Sequence, residues 1–447
     1  MKKFFSALLI VCLLATACFA VVACKPTDDD VNNGGSGELK GTVKIWWPGG
    51  SPTVEAAIKK AKADYEALHE GVTIDIATQS TADFYSSYTL ALMNKDNFPD
   101  IAYVDHVFVQ RLAYDGLIGN LSKYGADELK DKFIDSLWNT TQFEGGTYAL
   151  PMSANVLTLA YNKALLSKVF DREFTDADMP TNWDEYMAIG KKIADYNAKN
   201  NLSGNDKLYL TTVPAGTGNE SMGAMYFMAY SARSGGRLMN DNLTAMDLAT
   251  EQNKSAAAKI KELGDKGYTT TSFAESKFET GKVAFIEMGP WKLVDYSRIN
   301  ESQKEICDIR YASVMPLADG GSSQGALGLY SLVMTKKTKN AALAADFIKF
   351  LTTNDEIQLA HNTVQNLMPT TKTALANEYY QTAEWKVFVQ QLNNIVARPG
   401  SAAWPTIQRT LAEYVTQLVT GDKNGIPDQL DAIEIQLNEA LEDLEDE

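Results

Sequence analysis

The feature that most narrows the fold is a strand-like segment that breaks at a Pro–Gly cluster and gives way to an amphipathic helix. Val43-Lys44-Ile45-Trp46-Trp47 is β-branched and aromatic, and Pro48-Gly49-Gly50-Ser51-Pro52 interrupts it. Val54, Ala57, Ile58, Ala61, Tyr65 and Leu68 then fall on one helical face. Ser51 is a candidate cap and Pro52 suits the first helical position. The unit repeats: Val72-Thr73-Ile74-Asp75-Ile76 alternates as a strand, Phe84, Tyr88, Leu92 and Met93 mark a helix, and Pro99 to Val104 forms a third strand. Such alternation implies an α/β fold with a parallel sheet covered on both faces. The pattern restarts in Thr147 to Pro151 and Leu157 to Tyr161, with helices from Trp183 to Tyr196 and from Met222 to Ser231. Lys282 to Glu287 and Tyr311 to Pro316 are strand-like, Ala341 to Leu351 is an amphipathic helix, and Leu430, Ile433, Leu437, Leu441 and Leu444 share one helical face.

At the other end, Lys2 and Lys3 lead into an apolar run from Phe4 that closes on Val21-Val22-Ala23-Cys24. A basic start, an apolar stretch and small residues before a cleavage point describe a secretory signal, and the placing of Cys24 resembles a lipobox. Residues 1–23 are therefore expected to be a lipoprotein signal. Cys24 would carry the lipid and anchor the chain at the extracytoplasmic face of the cell membrane. Cys18 is a second candidate for modification, and Phe4 to Ala23 is also long and apolar enough for an uncleaved span. Residues 24–38 are polar and glycine-rich and read as a flexible tether.

About 420 residues remain beyond the signal, enough for two lobes with substantial cores. Of the four Cys, Cys12 and Cys18 leave with the signal and Cys24 carries lipid, so Cys307 has no disulfide partner. Lys2 and Lys3 are two of 41 basic residues, which leaves 39 against 57 acidic ones and a mature net charge of −18. That balance argues against nucleic acid and against anionic membrane surfaces as partners.

Several motifs, in this order, resemble the extracellular solute-binding proteins of ABC importers, in particular the maltose-binding or family 1 sugar-binding group. They are Phe98-Pro99-Asp100-Ile101 with Asp115 to Leu121, Gly145 to Pro151 with Tyr161-Asn162-Lys163, and Pro180-Thr181-Asn182-Trp183-Asp184-Glu185. Phe278 to Phe285 with Gly289-Pro290-Trp291, and Arg398-Pro399 before Trp404, complete the series. Pro-Asp-Ile alone would occur by chance, whereas six collinear motifs over residues 41 to 441 would not. The resemblance implies a periplasmic-binding-protein-like fold of two α/β lobes, each a sheet flanked by helices, with ligand in the cleft between them. The first lobe is expected at 41–153 and 312–365, and the second at 154–311 and 366–447. It further implies a monomer without cofactor or metal, which binds a carbohydrate ligand, closes by hinge bending and delivers it to ABC permease subunits.

A sugar offers flat C–H patches to aromatic rings and hydroxyls to paired donors and acceptors. Trp291 and Trp404 match the family's stacking positions, with core packing as the alternative for each. Trp46 and Trp47 end the first strand where the family contacts ligand; one of the two is expected in the core, and Trp47, nearer the turn, is the candidate for contact. Asp105 and His106 follow the third strand at the contacting turn, and an exposed turn is the plainer reading. Asn155 occupies the position of the family's cleft carboxylate, and Val104 stands where a maltose binder places an aromatic, so ligand identity does not transfer. Tyr226 lies near a further aromatic contact, where core packing competes. Exported glycan-active enzymes are the first rival class, since paired carboxylates could hydrolyse a glycosidic bond. The chain has no Gly-x-Ser-x-Gly elbow, no His-Glu-x-x-His and no P-loop, and His69, His106 and His361 lack metal-ligand spacing. A solute-binding protein for a non-sugar ligand such as a polyol phosphate, a metal, a polyamine or a peptide is the second. An adhesin or chaperone-like lipoprotein is the third.

Overall fold

The structure, a computed structural model, describes residues 39–49, 52–79, 84–93, 98–270, 273–319, 321–401 and 403–445. The expected signal, the tether, Cys24 and the capping Ser51 lie outside the described residues. The chain opens with β1 (Gly41–Pro48), α1 (Pro52–Leu68), β2 (Val72–Gln79), α2 (Phe84–Met93) and β3 (Ile101–Asp105). Two long strands, β4 (Ala149–Val156) and β5 (Thr158–Asn162), lead into α3 (Trp183–Lys199), β6 (Tyr209–Thr211), α4 (Glu220–Arg233) and α5 (Glu251–Asp265). Next come β7 (Val283–Met288), α6 (Leu293–Gln303), β8 (Ile309–Ala312) and β9 (Gly325–Met334). The chain ends with α7 (Ala341–Thr353), α8 (Asp355–Gln365), α9 (Ala383–Gln391), β10 (Ile395–Val396), α10 (Trp404–Thr420) and α11 (Gln429–Glu445).

The first sheet has the order β10-β9-β3-β1-β2, and β4 also pairs with β9. β1, β2 and β3 are mutually parallel, as expected from their helical crossovers, and β10 pairs in parallel with the start of β9. β9 runs antiparallel to both β3 and β4. Its chain arrives from the second sheet through 313–324 without the helical crossover that a parallel neighbour requires. The second sheet, β8-β5-β7-β6, is likewise mixed. Both faces of the first sheet are covered. Val43, Ile45 and Trp47 pack with Ile58, Tyr65 and Phe347 on one side, and Trp46, Ala102 and Val104 with Tyr88 and Leu112 on the other. In the second lobe α4 is buried on all sides from Gly223 to Arg233 and forms the centre of the core with α5 and α10.

Among the described residues the chain passes between the lobes at Leu157 between β4 and β5, between β8 and β9, and between β10 and α10. β4 runs unbroken through the lobe boundary expected at 153/154. Met368, Tyr380, Trp385, Phe388 and Leu392, expected in the second lobe, share a core with Ala154, Val156, Leu327 and Leu329 of β4 and β9.

Two expected cleft residues are core residues. Trp47 is 0% exposed, with its ring 5.4 Å from that of Tyr103 and 4.7 Å from that of His361. The alternation of β1 puts Trp47 on the same covered face as Val43 and Ile45. Trp404 is also 0% exposed and donates from Nε1 to Gln408 Oε1 at 3.1 Å. It is the first member of the stripe Trp404, Ile407, Leu411, Val415 and Leu418 that α10 buries. Trp47→Ala and Trp404→Ala should each lower the unfolding free energy of the ligand-free protein by about 3–5 kcal/mol. Denaturant titration checks this, and wild-type midpoints would place both rings outside the core.

Candidate functional site

The strand pairing gathers one group of side chains on a single face of the first sheet. Tyr330 of β9 sits opposite Asp105 of β3, and Gly328 sits opposite Asn155 of β4. Directly paired residues point the same way, as do residues two apart, so Tyr103, Asp105, Asn155, Gly328 and Tyr330 share that face. The Tyr103 and Tyr330 rings stack, with centroids 5.0 Å apart and planes 16° from parallel, a diagonal cross-strand pair. Gly328 leaves room for Asn155: a methyl there would overlap the Asn155 side-chain amide and oblige it to move.

These residues form one wall of a cavity of about 300 Å³. The other wall comes from the second lobe, with Ser221, Met222 and Met225 on the first turns of α4 and Trp291 after β7. Trp291 is half-buried, and its ring folds back over Gly289 so closely that a Cβ at 289 would collide with it. Gln365, the last residue of α8, Leu367 just beyond it, Leu329 of β9 and Arg398, from the crossing segment after β10, complete the lining.

Asp105 and Arg398 are the only charged side chains among the described lining residues. Arg398 Nη2 donates to both Asp105 oxygens at 2.8 and 2.9 Å, and its side chain is 3% exposed. His106 is buried beside them, with Nδ1 3.0 Å from Asp105 Oδ1 and 3.1 Å from the Leu329 carbonyl. A proton on Nδ1 serves both acceptors. Burial alone would raise the Asp105 carboxyl, but the Arg398 charge and the His106 hydrogen bond outweigh it and hold the group at about 2. Burial lowers the His106 imidazole and keeps it neutral, against the opposing pull of Asp105.

Of the residues expected at the site, the structure brings together Asp105, Asn155 and Trp291. His106 does not line this cavity; it braces Asp105 from behind and faces a separate cavity with Gln110, Asn139 and Leu243. Tyr226 is a correction. It is 2% exposed, stacks on Tyr230 at 4.3 Å and donates to the Tyr230 hydroxyl at 2.6 Å. The face of α4 that meets the cavity carries Ser221, Met222 and Met225, whereas Tyr226 turns into the core beside the buried Arg233–Glu287 pair. Tyr103, Tyr330, Gln365, Ser221, both methionines and Arg398 escaped the sequence reading. Arg398 had a visible signal, since it stands in the Arg-Pro motif ahead of Trp404. A larger cavity of about 640 Å³, between Leu293–Asn300 and Tyr379–Val387, holds none of the expected residues. Among the described residues there is no group of three or more His, Cys, Asp or Glu placed to hold a metal ion.

Comparison with known proteins agrees with this architecture. A protein of Brucella abortus (strain 2308), named only as a binding protein, is 24% identical over 403 residues, covering 88% of this chain and 90% of its own length. The galactooligosaccharide-binding protein of Bacillus subtilis (strain 168) is 22% identical, covering 76% of this chain and 75% of its own. The crystal structure of the cyclic alpha-maltosyl-1,6-maltose binding protein from Arthrobacter globiformis matches with a TM-score of 0.76 at 21% identity, covering 90% of this chain and 100% of that one. The bacterial extracellular solute-binding protein family model matches residues 60–387, most of the chain. This chain therefore belongs to the bacterial extracellular solute-binding protein family.

Proposed function

We propose that this chain is the carbohydrate receptor of an ABC importer, capturing a mono- or oligosaccharide between its lobes and delivering it to the permease. The observation that carries this reading is the composition of the cleft. Trp291 and the Tyr103–Tyr330 stack offer ring faces, Asn155, Gln365 and Ser221 offer hydrogen bonds, and the one charge pair is internally balanced. C–H patches and hydroxyls need this combination, and a few hundred Å³ of mostly pre-formed cleft is typical of small-molecule sites. The oligosaccharide ligands in the names of the Bacillus and Arthrobacter relatives support the same class. No catalysis is part of the proposal: glycoside hydrolysis uses two carboxyl groups, and Asp105 is the one carboxylate among the described lining residues. No helix among the described residues is long and apolar enough to cross a membrane. Attachment through lipid on Cys24, with the receptor a monomer at the extracytoplasmic face, belongs to the same proposal.

A thermal-shift screen of the domain beginning at Glu38 against neutral saccharides, polyols, phosphorylated sugars, amino acids and metals tests the ligand class. A saccharide at a hundredfold its dissociation constant should add about 2.7 kcal/mol of stability; a response to metal or phosphate alone would overturn the sugar. Trp291→Ala and Gly328→Ala should each weaken the responding saccharide at least tenfold, about 1.4 kcal/mol, with the ligand-free transition little changed for Trp291→Ala. Titration calorimetry decides, and unchanged affinity in both would remove the cavity as the site. Cys24→Ser should shift the protein from the membrane to the soluble fraction of expressing cells, and retention in the membrane would exclude Cys24 as the anchor.

A further inference from the structure

We propose that Asp105 and Arg398 set the charge selectivity of the cleft, admitting neutral saccharides and excluding acidic ones such as uronates. The inference rests on the carbohydrate reading above and deepens it. Arg398 is almost wholly buried, yet only part of its donor set is used: Nη2 serves Asp105, and Nη1 reaches Ser221 Oγ at 3.4 Å. Nε is buried without a hydrogen-bond partner. That nitrogen has no exposed surface, so it is the rest of the guanidinium, which lines the cavity, that can meet an acceptor on the ligand. A sugar hydroxyl or ring oxygen suffices for that, and so would a carboxylate.

The charge of Asp105 decides between them. It lies against the same guanidinium in the same cavity, and no further cation lines the described wall to offset a second anion. The neighbouring His106 is held neutral by burial, so it supplies no compensating charge. A ligand carboxylate reaching Arg398 must therefore approach an ionised Asp105 in a partly desolvated site, where like charges are screened far less than in water. Neutral hydroxyls meet no such opposition. The pair acts as a filter in which Arg398 supplies the donor and Asp105 removes the net positive charge that would otherwise favour anions.

The test uses matched saccharides that differ in one carboxylate: galactose with galacturonic acid, glucose with glucuronic acid, and the corresponding disaccharides. In the wild type the neutral member of a responding pair should bind at least tenfold more tightly than the acid. Asp105→Asn keeps an acceptor for Arg398 and unmasks the guanidinium charge, so it should move the ratio at least tenfold towards the acid. The double variant Asp105→Asn with Arg398→Gln is charge-neutral again and should return to the neutral sugar. A wild type that binds the acid as tightly as its neutral partner overturns the proposal without any variant. So does a folded Asp105→Asn protein, judged by its thermal transition, whose ratio is unmoved. Absence of any neutral saccharide response in the wild type would instead remove the carbohydrate reading itself, and this filter with it.

Discussion

The backbone hydrogen bonding of β9 to two strands at once is the constraint on which the cleft depends. Along Gly325–Met334 the chain pairs with β4 on one side and with β3, and briefly β10, on the other. Its side chains are buried on both faces apart from half-buried Tyr330, so the paired backbone is the means by which its polar groups are satisfied away from water. This pairing fixes Tyr330 against Asp105 and Gly328 against Asn155. A β-bulge at Met152 of β4 shifts the register just beyond Tyr330. Asn362 donates from Nδ2 to the Met152 carbonyl at 3.1 Å, which satisfies the acceptor that the bulge removes from the ladder. α8 thus supports the site from behind, and its last residue, Gln365, enters the cavity.

β9 is also where the sequence was least informative. Gly-Ala-Leu-Gly-Leu-Tyr-Ser-Leu-Val-Met is apolar with little alternation, because a strand covered on both faces has no polar side to write into its pattern. β1, β2, β3 and α1 were legible because each couples a clear period to a Pro or Gly boundary. The family and two-lobed α/β architecture came from the order of motifs. The site was legible only in part, and for a physical reason. Asp105, Asn155 and Trp291 were named from positions that the family resemblance implies, and they stand at strand ends or at a Gly-Pro turn. Trp47 and Trp404 stand beside similar signals but belong to periodic stripes, and the stripe, not the adjacent proline, governs where the ring goes. Tyr103, Tyr330 and Arg398 meet only through pairing and crossing segments far apart in sequence, which no local pattern encodes.

Closure of the cleft, as proposed, must be driven by contacts that exist only when both walls are engaged, since a ligand bound equally by two states shifts neither. The residues divide accordingly. Asn155 and Tyr330 belong to the first sheet, whereas Met222, Met225 and Trp291 belong to the second lobe, and the two sets ride on elements joined where the chain passes between the lobes. Arg398 differs from both sets because it lies within a crossing segment. Its bond to Asp105 ties that segment to the end of β3, and its long approach to Ser221 reaches the start of α4. A ligand acceptor at Arg398 would therefore act where the two walls meet, and the guanidinium's position would be sensitive to the angle between them. The methionines on α4 suit the opposite wall for the same reason: an unbranched thioether can follow a C–H surface through a small rotation of the lobe without losing contact. Trp291, whose ring lies over Gly289, has less freedom than the methionines to follow such a rotation.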